Sequence, residues 1–338
     1  MNFVERWDSD AFENQEISRQ IYIDVKKKLK IVPHNFTGWR SYPNQKLKTI
    51  SINENGLRNK SIQNFSNKKN CVLLGGSVAW GFGASSNENI ISYKIEEILK
   101  KKYNIDLNVI NLAEQSYSSI EELNSFIFSF HELNPSVVII FSGCNDINYE
   151  YRNQYKTNFL YKDFLNFYLW GDKIGIFRER NFSKVLGKIF FKFFRQDKTI
   201  NEDFYYFKKP LQNNIALKMY NSKIDFIKSL CDIKKIPVFN ILQPDLLFKK
   251  KKSKFEESYE QFQPIDRKNF TKEKYLKLEK EIFNNIKDTK YFKNLNLLRC
   301  FDEFNETIFI DRNHVADKGY KILAEKISNF MSNNLGEL

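Results

Sequence analysis

The stretch Cys71-Val72-Leu73-Leu74-Gly75-Gly76-Ser77-Val78-Ala79-Trp80-Gly81 decides the fold class of this chain. Its first four residues are a short apolar run and two glycines follow, which reads as a buried strand entering a tight turn. A serine at such a turn, where the chain passes into a helix, stands at the carboxyl edge of a sheet. Ligands of open parallel α/β sheets bind at that edge. Glycines on both sides let the backbone turn sharply and let another group come close. Gly-Gly-Ser also occurs in ordinary strand-to-helix turns, so this segment alone does not define a site.

The pattern continues outward from it. Ile91, Ile95, Ile98 and Leu99 recur at helical spacing and predict an amphipathic helix over about 88–102. Val109-Ile110 predicts a second strand, and a second helix follows over about 118–131. Val137-Val138-Ile139-Ile140-Phe141 is continuously apolar, as a strand covered on both faces should be. Leu217, Tyr220, Ile224, Ile227 and Cys231 form a helical stripe leading to the strand Pro237-Val238-Phe239-Asn240-Ile241-Leu242. Strands alternating with helices imply a parallel sheet with right-handed crossovers, here a three-layer α/β/α sandwich.

Residues 1–69 are polar and turn-rich and read as an N-terminal extension lying on a main domain over 70–335. Within the extension, Asn55-Gly56 between Ile50-Ser51-Ile52 and Leu57 suggests a short hairpin. Two insertions interrupt the main domain. Residues 150–210 are crowded with aromatic and basic side chains, such as Phe190-Phe191-Lys192-Phe193-Phe194-Arg195. Residues 245–262 hold Lys249-Lys250-Lys251-Lys252. Both follow sheet strands, where lids over a site are expected.

The chain has 338 residues, enough for a sizeable core, and 42% are apolar, which excludes a wholly disordered chain. Its 54 basic against 41 acidic residues give a formal charge of +13. That excess favours anionic partners, although Lys is abundant throughout, which is also the mark of a background compositional bias. No recognisable nucleic-acid module is present and the basic residues form no compact stretch, which argues against specific nucleic-acid binding. The aromatic-basic segment 159–195 would suit an interfacial helix making a weak membrane-surface contact, or equally lid packing. Cys71, Cys144, Cys231 and Cys300 are scattered, with no CxxC pair, so a reducing compartment is the default and Cys144 reads as a packing residue. The N-terminus lacks a signal peptide's basic and apolar regions. No apolar run approaches the roughly 18 residues of a spanning helix. The expectation is a cytoplasmic protein.

Two further blocks carry chemistry. Asp311-Arg312-Asn313-His314 follows Ile308-Phe309-Ile310 and precedes a helix bearing Tyr320, Leu323, Ala324, Ile327 and Met331. A hydroxyl near neutral pH needs a base of matching pKa, which histidine supplies, and the imidazole needs an acceptor to fix its tautomer. An aspartate three residues earlier can provide one; equally, it could simply cap the helix. The chain has three histidines, and neither His34 nor His131 has such a neighbour. Gly143-Cys144-Asn145-Asp146 follows the third strand. A neutral asparagine N–H suits a developing oxyanion, for which one donor is worth about 3–4 kcal/mol, and an Asx turn is the plain alternative.

Taken together, and in this order, the blocks resemble those of the SGNH (GDSL-like) hydrolases over about residues 70–333. Ser77 stands where that family has its Gly-Asp-Ser nucleophile, with Gly76 in place of the aspartate. Asn145 matches the asparagine of Gly-x-Asn-Asp, supported by Gly143, and Asp311 and His314 match Asp-x-x-His. The family's second block, Asn-x-x-x-x-Gly, reads here Asn111-Leu112-Ala113-Glu114-Gln115-Ser116, so Ser116 replaces the oxyanion glycine. The resemblance implies an SGNH/flavodoxin-like fold and a triad of Ser77, His314 and Asp311. It also implies an oxyanion hole of the Ser77 and Ser116 backbone N–H groups with Asn145. It implies ester hydrolysis through an acyl-enzyme on a small-molecule or glycan ester, with no metal or other cofactor. O-acyl transfer to a sugar on the same triad, and a catalytically silent binding module, are the alternatives. The region of Gly38-Trp39-Arg40 and Asn55-Gly56-Leu57-Arg58 looks like that of bacterial SGNH proteins of surface-polysaccharide pathways. That points to a short-acyl, O-acetyl-type ester on a carbohydrate.

Overall fold

The computed structural model describes residues 5–61, 69–152 and 214–336. A five-stranded, all-parallel sheet is built from β3 (Lys69–Gly75), β4 (Leu107–Asn111), β5 (Val137–Ser142), β6 (Val238–Leu242) and β7 (Phe292–Asn296). A separate antiparallel hairpin of β1 (Ile31–His34) and β2 (Gly38–Ser41) precedes it. The order across the sheet is β4-β3-β5-β6-β7. Successive crossovers therefore leave β3 in opposite directions, and the switch point lies between β3 and β5.

Residues of β3 alternate between two cores. Cys71 and Leu73 join a cluster with Ile91, Ile95 and Leu99 of the helix Ile91–Tyr103 and Leu323, Ile327 and Met331 of the helix Asp317–Leu335. Val72 and Leu74 face the other way, against Phe126 of the helix Ser119–Leu133 and Tyr220, Ile224 and Ile227 of the helix Ile215–Lys234. A sheet buried on both faces needs such near-continuous apolar strands, and β5 is buried at all six positions. The result is the expected three-layer α/β/α sandwich.

The features that follow are among those not legible in the sequence. The edge strand β7 reads Phe-Lys-Asn-Leu-Asn and is only partly buried beyond Phe292, so its polarity hides it. The helix Ile265–Lys280 buries only Thr271, Lys274, Tyr275 and Leu278, too narrow a stripe to stand out. The hairpin expected around Asn55-Gly56 is instead a closed turn. The Asn53 side chain accepts from the N–H groups of Asn55 and Leu57, and the Asn53 N–H donates to Leu57 O. Arg58 then enters the interior, where a second strand would have had to run. The hairpin of the N-terminal region is β1–β2.

The segment 159–195, with nearly all of the insertion expected over 150–210, lies outside the described residues. The lysines over 249–252 are not one basic patch. Lys249 is buried, pairs with Glu256 at 2.5 Å and donates to Glu306 O at 2.8 Å. Among the described residues, no helix is long and apolar enough to cross a membrane.

Candidate active site

Ser77 and Asn145 sit just past the carboxyl ends of β3 and β5, the two strands flanking the switch point. Ser77 opens the short helix Ser77–Trp80, and Asn145 lies in the first turn of the helix Cys144–Tyr151. Gly143 caps that helix with φ +126°, a conformation a side chain would strain. Gly76 has an ordinary φ of −94°, but a Cβ there would lie 2.3 Å from Asn145 Nδ2. The absent side chain lets the Asn145 amide lie against the Gly76 backbone. That amide donates to Tyr117 O at 2.7 Å.

The third loop is closed locally before it meets the others. Ile310 N–H donates to His314 O at 2.9 Å, and Asp311 Oδ1 accepts from the N–H groups of Asn313 and His314 at 3.0 and 2.8 Å. His314 Nδ1 lies 2.8 Å from Asp311 Oδ2, and His314 Nε2 lies 2.6 Å from Ser77 Oγ. With Nδ1–H donating to the carboxylate, Nε2 is left as an acceptor for the serine hydroxyl. Ser77 and His314 are each 9% exposed and Asp311 2%, so the relay lies just beneath the surface.

Burial holds the His314 imidazole below its ordinary pKa and outweighs the opposing pull of Asp311. Burial alone would raise the Asp311 carboxyl. His314, the Arg6 guanidinium and the hydrogen bonds prevail, and hold it well below the usual carboxylate range. A neutral base and an ionised orienting group are the protonation states that abstraction of a serine proton requires. The Phe82 ring packs 4.4 Å from the imidazole, centroid to centroid.

The second block is bound firmly. Asn111 Nδ2 donates to Ala79 O at 3.0 Å, joining this loop to the helix that Ser77 opens. The buried Glu114 carboxylate accepts from Ser41 N–H and Oγ at 2.7 and 2.6 Å. Trp39 Nε1 donates to Gln115 O at 2.9 Å, and the Tyr149 hydroxyl donates to Ser116 O. These contacts hold exposed Ser116 at φ +65°, a left-handed conformation suited to glycine. Asp146 accepts from Ser119 N–H and Oγ at 3.1 and 3.0 Å, tying the Asn145 helix to the start of the helix Ser119–Leu133 that follows this loop.

Ser77, His314, Asp311 and Asn145, chosen from sequence, thus converge with the loop bearing Ser116. His34 is bonded instead to Thr37 in the hairpin, and His131 lies exposed on the helix Ser119–Leu133. Cys144 does more than pack: its Sγ accepts from Arg312 Nη2 at 3.0 Å and from Asn148 Nδ2 at 3.2 Å. Arg6, Lys26 and Phe82 were missed. Arg6 and Lys26 reach the site only through long-range packing, and Phe82, whose N–H donates to Ser77 O at 3.0 Å, meets the His314 ring only once the chain is folded.

No family model matches the sequence and no curated protein matches it. Several solved structures are similar in fold. One is a lipase/acylhydrolase from Enterococcus faecalis, with 12% identity and a TM-score of 0.43, covering 78% of this chain and 96% of that one. A lipase from a goat rumen metagenome has 14% identity and a TM-score of 0.45, covering 77% and 96%. An acetyl xylan esterase has 12% identity and a TM-score of 0.40, covering 77% and 98%.

Proposed function

We propose that this chain is a serine esterase of the SGNH type that cleaves a carboxylic ester through an acyl-enzyme on Ser77. The observation that carries the reading is the unbroken relay from Ser77 Oγ through His314 to Asp311, with links of 2.6 and 2.8 Å. Those are the distances of a nucleophile, a base and an orienting acid. His314 Nε2 takes the hydroxyl proton as Oγ attacks the carbonyl carbon, and the carbonyl oxygen becomes an oxyanion. The backbone N–H groups of Ser77 and Ser116, with the Asn145 amide, are the donors proposed to hold it. Collapse of the intermediate expels the alcohol, which receives the proton from His314. Water then attacks the acyl-serine, gives its proton to His314, and the acid leaves as Ser77 is restored.

The substrate proposed is a short-acyl, O-acetyl-type ester on a carbohydrate. It rests on the resemblance of the region around Gly38-Trp39-Arg40, where Trp39 packs 5.6 Å from the Tyr117 ring beside the second block. The test is hydrolysis of p-nitrophenyl esters of increasing chain length by wild type and Ser77→Ala. Fluorophosphonate labelling and glycan acceptors are run in parallel. Acetate release that vanishes in Ser77→Ala is expected. Absence of labelling in folded protein would defeat the esterase reading, and strong preference for long acyl chains would defeat the substrate. Acylated glycan as the main product would make the enzyme a transferase.

A further inference from the structure

Asp311 has a partner that serine–histidine chemistry does not call for. Arg6, in the helical turn Arg6–Asp8, places Nη1 2.8 Å from Asp311 Oδ2, the oxygen that also faces His314 Nδ1. Oδ1 is occupied by the N–H groups of Asn313 and His314. The carboxylate is thereby held on both oxygens and cannot rotate without breaking a charge-assisted bond. The Arg6 side chain is 31% exposed against 3% for Asp311, so the guanidinium covers the carboxylate from its solvent side.

The turn that carries Arg6 is itself anchored. Trp7 packs against the Phe82 ring, tilted by 32° with centroids 5.8 Å apart, and Ser18 Oγ donates to Trp7 O at 2.5 Å. The Arg6 guanidinium carbon lies 5.3 Å from the Phe82 centroid, and Lys26 Nζ lies 5.5 Å from it. The charged groups acting most strongly on His314 are Asp311, Arg6 and Lys26. Asp311 in turn acts on Asp245, Tyr259 and Tyr320 from the neighbouring elements.

We propose that Arg6 is a positioning residue of the Ser77–His314–Asp311 relay, clamping the carboxylate in register with Nδ1 and placing a fixed positive charge beside the base. The proposal rests on the esterase reading for its kinetic consequences only. A carboxylate shared with a guanidinium supports an imidazolium less than an unshared one does. Losing Arg6 should therefore let His314 hold its proton to higher pH while Asp311 becomes less well oriented.

The test uses the full chain as wild type, Arg6→Gln and Arg6→Lys. Imidazole titration is followed by NMR, which three histidines make tractable, with His314→Gln for assignment. Arg6→Gln should raise the His314 midpoint by about 0.5–1 pH unit. It should also lower kcat on p-nitrophenyl acetate roughly tenfold at unchanged KM, with the acid limb of the pH profile moving by the same amount. Arg6→Lys should recover most of both effects, which a merely structural role would not predict. An unchanged His314 midpoint in Arg6→Gln of wild-type thermal stability would overturn the proposal. If wild type turns over no ester, the esterase reading fails while the NMR midpoint still judges Arg6.

Discussion

Placing at position 76, before Ser77, the aspartate of the Gly-Asp-Ser motif that this segment resembles should damage this protein. At position 76 the backbone angles, φ −94° and ψ −152°, are open to any residue, so Gly76→Asp carries little torsional penalty. The conflict is steric and specific. A Cβ would stand 2.3 Å from Asn145 Nδ2 and 3.2 Å from Tyr117 O, where ordinary contact begins at 3.4 Å. Asn145 Nδ2 would have to retreat by about 1 Å. As the end of a flexible side chain it can do so by giving up its 2.7 Å bond to Tyr117 O. That bond is worth about 1 kcal/mol, so the thermal midpoint should fall by only about 2–3 °C. The functional loss should be far larger, because the displaced amide is the proposed oxyanion donor: about 3–4 kcal/mol, or 10²–10³ in kcat. Gly76→Ala, with the same Cβ, should lose nearly as much. The assay is kcat on p-nitrophenyl acetate, with active sites counted by fluorophosphonate and stability followed in the same preparations. A Gly76→Asp variant with wild-type kcat would refute the reasoning, since Asn145 would then not need its observed place.

The other expectations concern pH, strain and a buried ion pair. Because burial depresses His314, the acid limb of kcat/KM against pH should lie below the ordinary histidine value of about 6.5, and a limb above it would contradict the burial argument. The same depression means that the unfolded chain binds protons the folded one refuses. Stability is then fully present above about pH 6.5 and declines as pH falls toward the folded value. His34, held down at about 4 chiefly by burial, adds a decline of the same sign, so thermal midpoints should drop over that range. Ser116→Gly should relieve the left-handed backbone and gain about 0.5–1 kcal/mol, with activity kept within about threefold on the view that position 116 contributes only its backbone N–H; a lower thermal midpoint would argue against it. K249M strands the Glu256 carboxylate, whose Oε1 accepts from Ile308 and Phe309 N–H. It should cost about 3–5 kcal/mol, read as a clear fall in thermal midpoint, and an unchanged midpoint would refute the pairing.

The legible parts of this protein were those encoded locally. Four of the five strands announce themselves as apolar runs, because a strand between two helical layers has no polar face to dilute the signal. The candidate site was legible for a related reason: Asp311 and His314 share one loop, and Ser77 and Asn145 each follow such a strand directly. The N-terminal region was less legible, because its conformation is set by what it touches. Asn55-Gly56 carries the composition of a hairpin, yet the Asn53 side chain and the inward path of Arg58 decide otherwise. Arg58 donates to Gly81 O at 2.6 Å and to Thr49 O at 2.8 Å, contacts that no local pattern encodes. Arg6 is the extreme case, since its partner lies at the opposite end of the chain.

Those long-range contacts converge on one loop, and the convergence has a physical reason. The Asp311–His314 loop makes only a few bonds of its own, chiefly from Asp311 Oδ1 and between Ile310 and His314, too few to fix an imidazole to the tolerance that proton transfer needs. Rigidity has to come from outside. Arg6 fastens the loop from the N-terminal region. Within the loop, buried Arg312 pairs with Asp245 at 3.1 Å and donates to Thr271 and Asn148 at 3.1 and 2.8 Å. Its carbonyl accepts from Leu246 N–H at 2.8 Å. Asn148 lies one turn beyond Asn145 on the same helix, so Arg312 links the His314 loop to the helix of the proposed oxyanion donor. Placing a guanidinium there is expensive in desolvation unless its partners are all present. That makes the loop well fixed only when the N-terminal region, residues 245–262 and the sheet's carboxyl edge are assembled together.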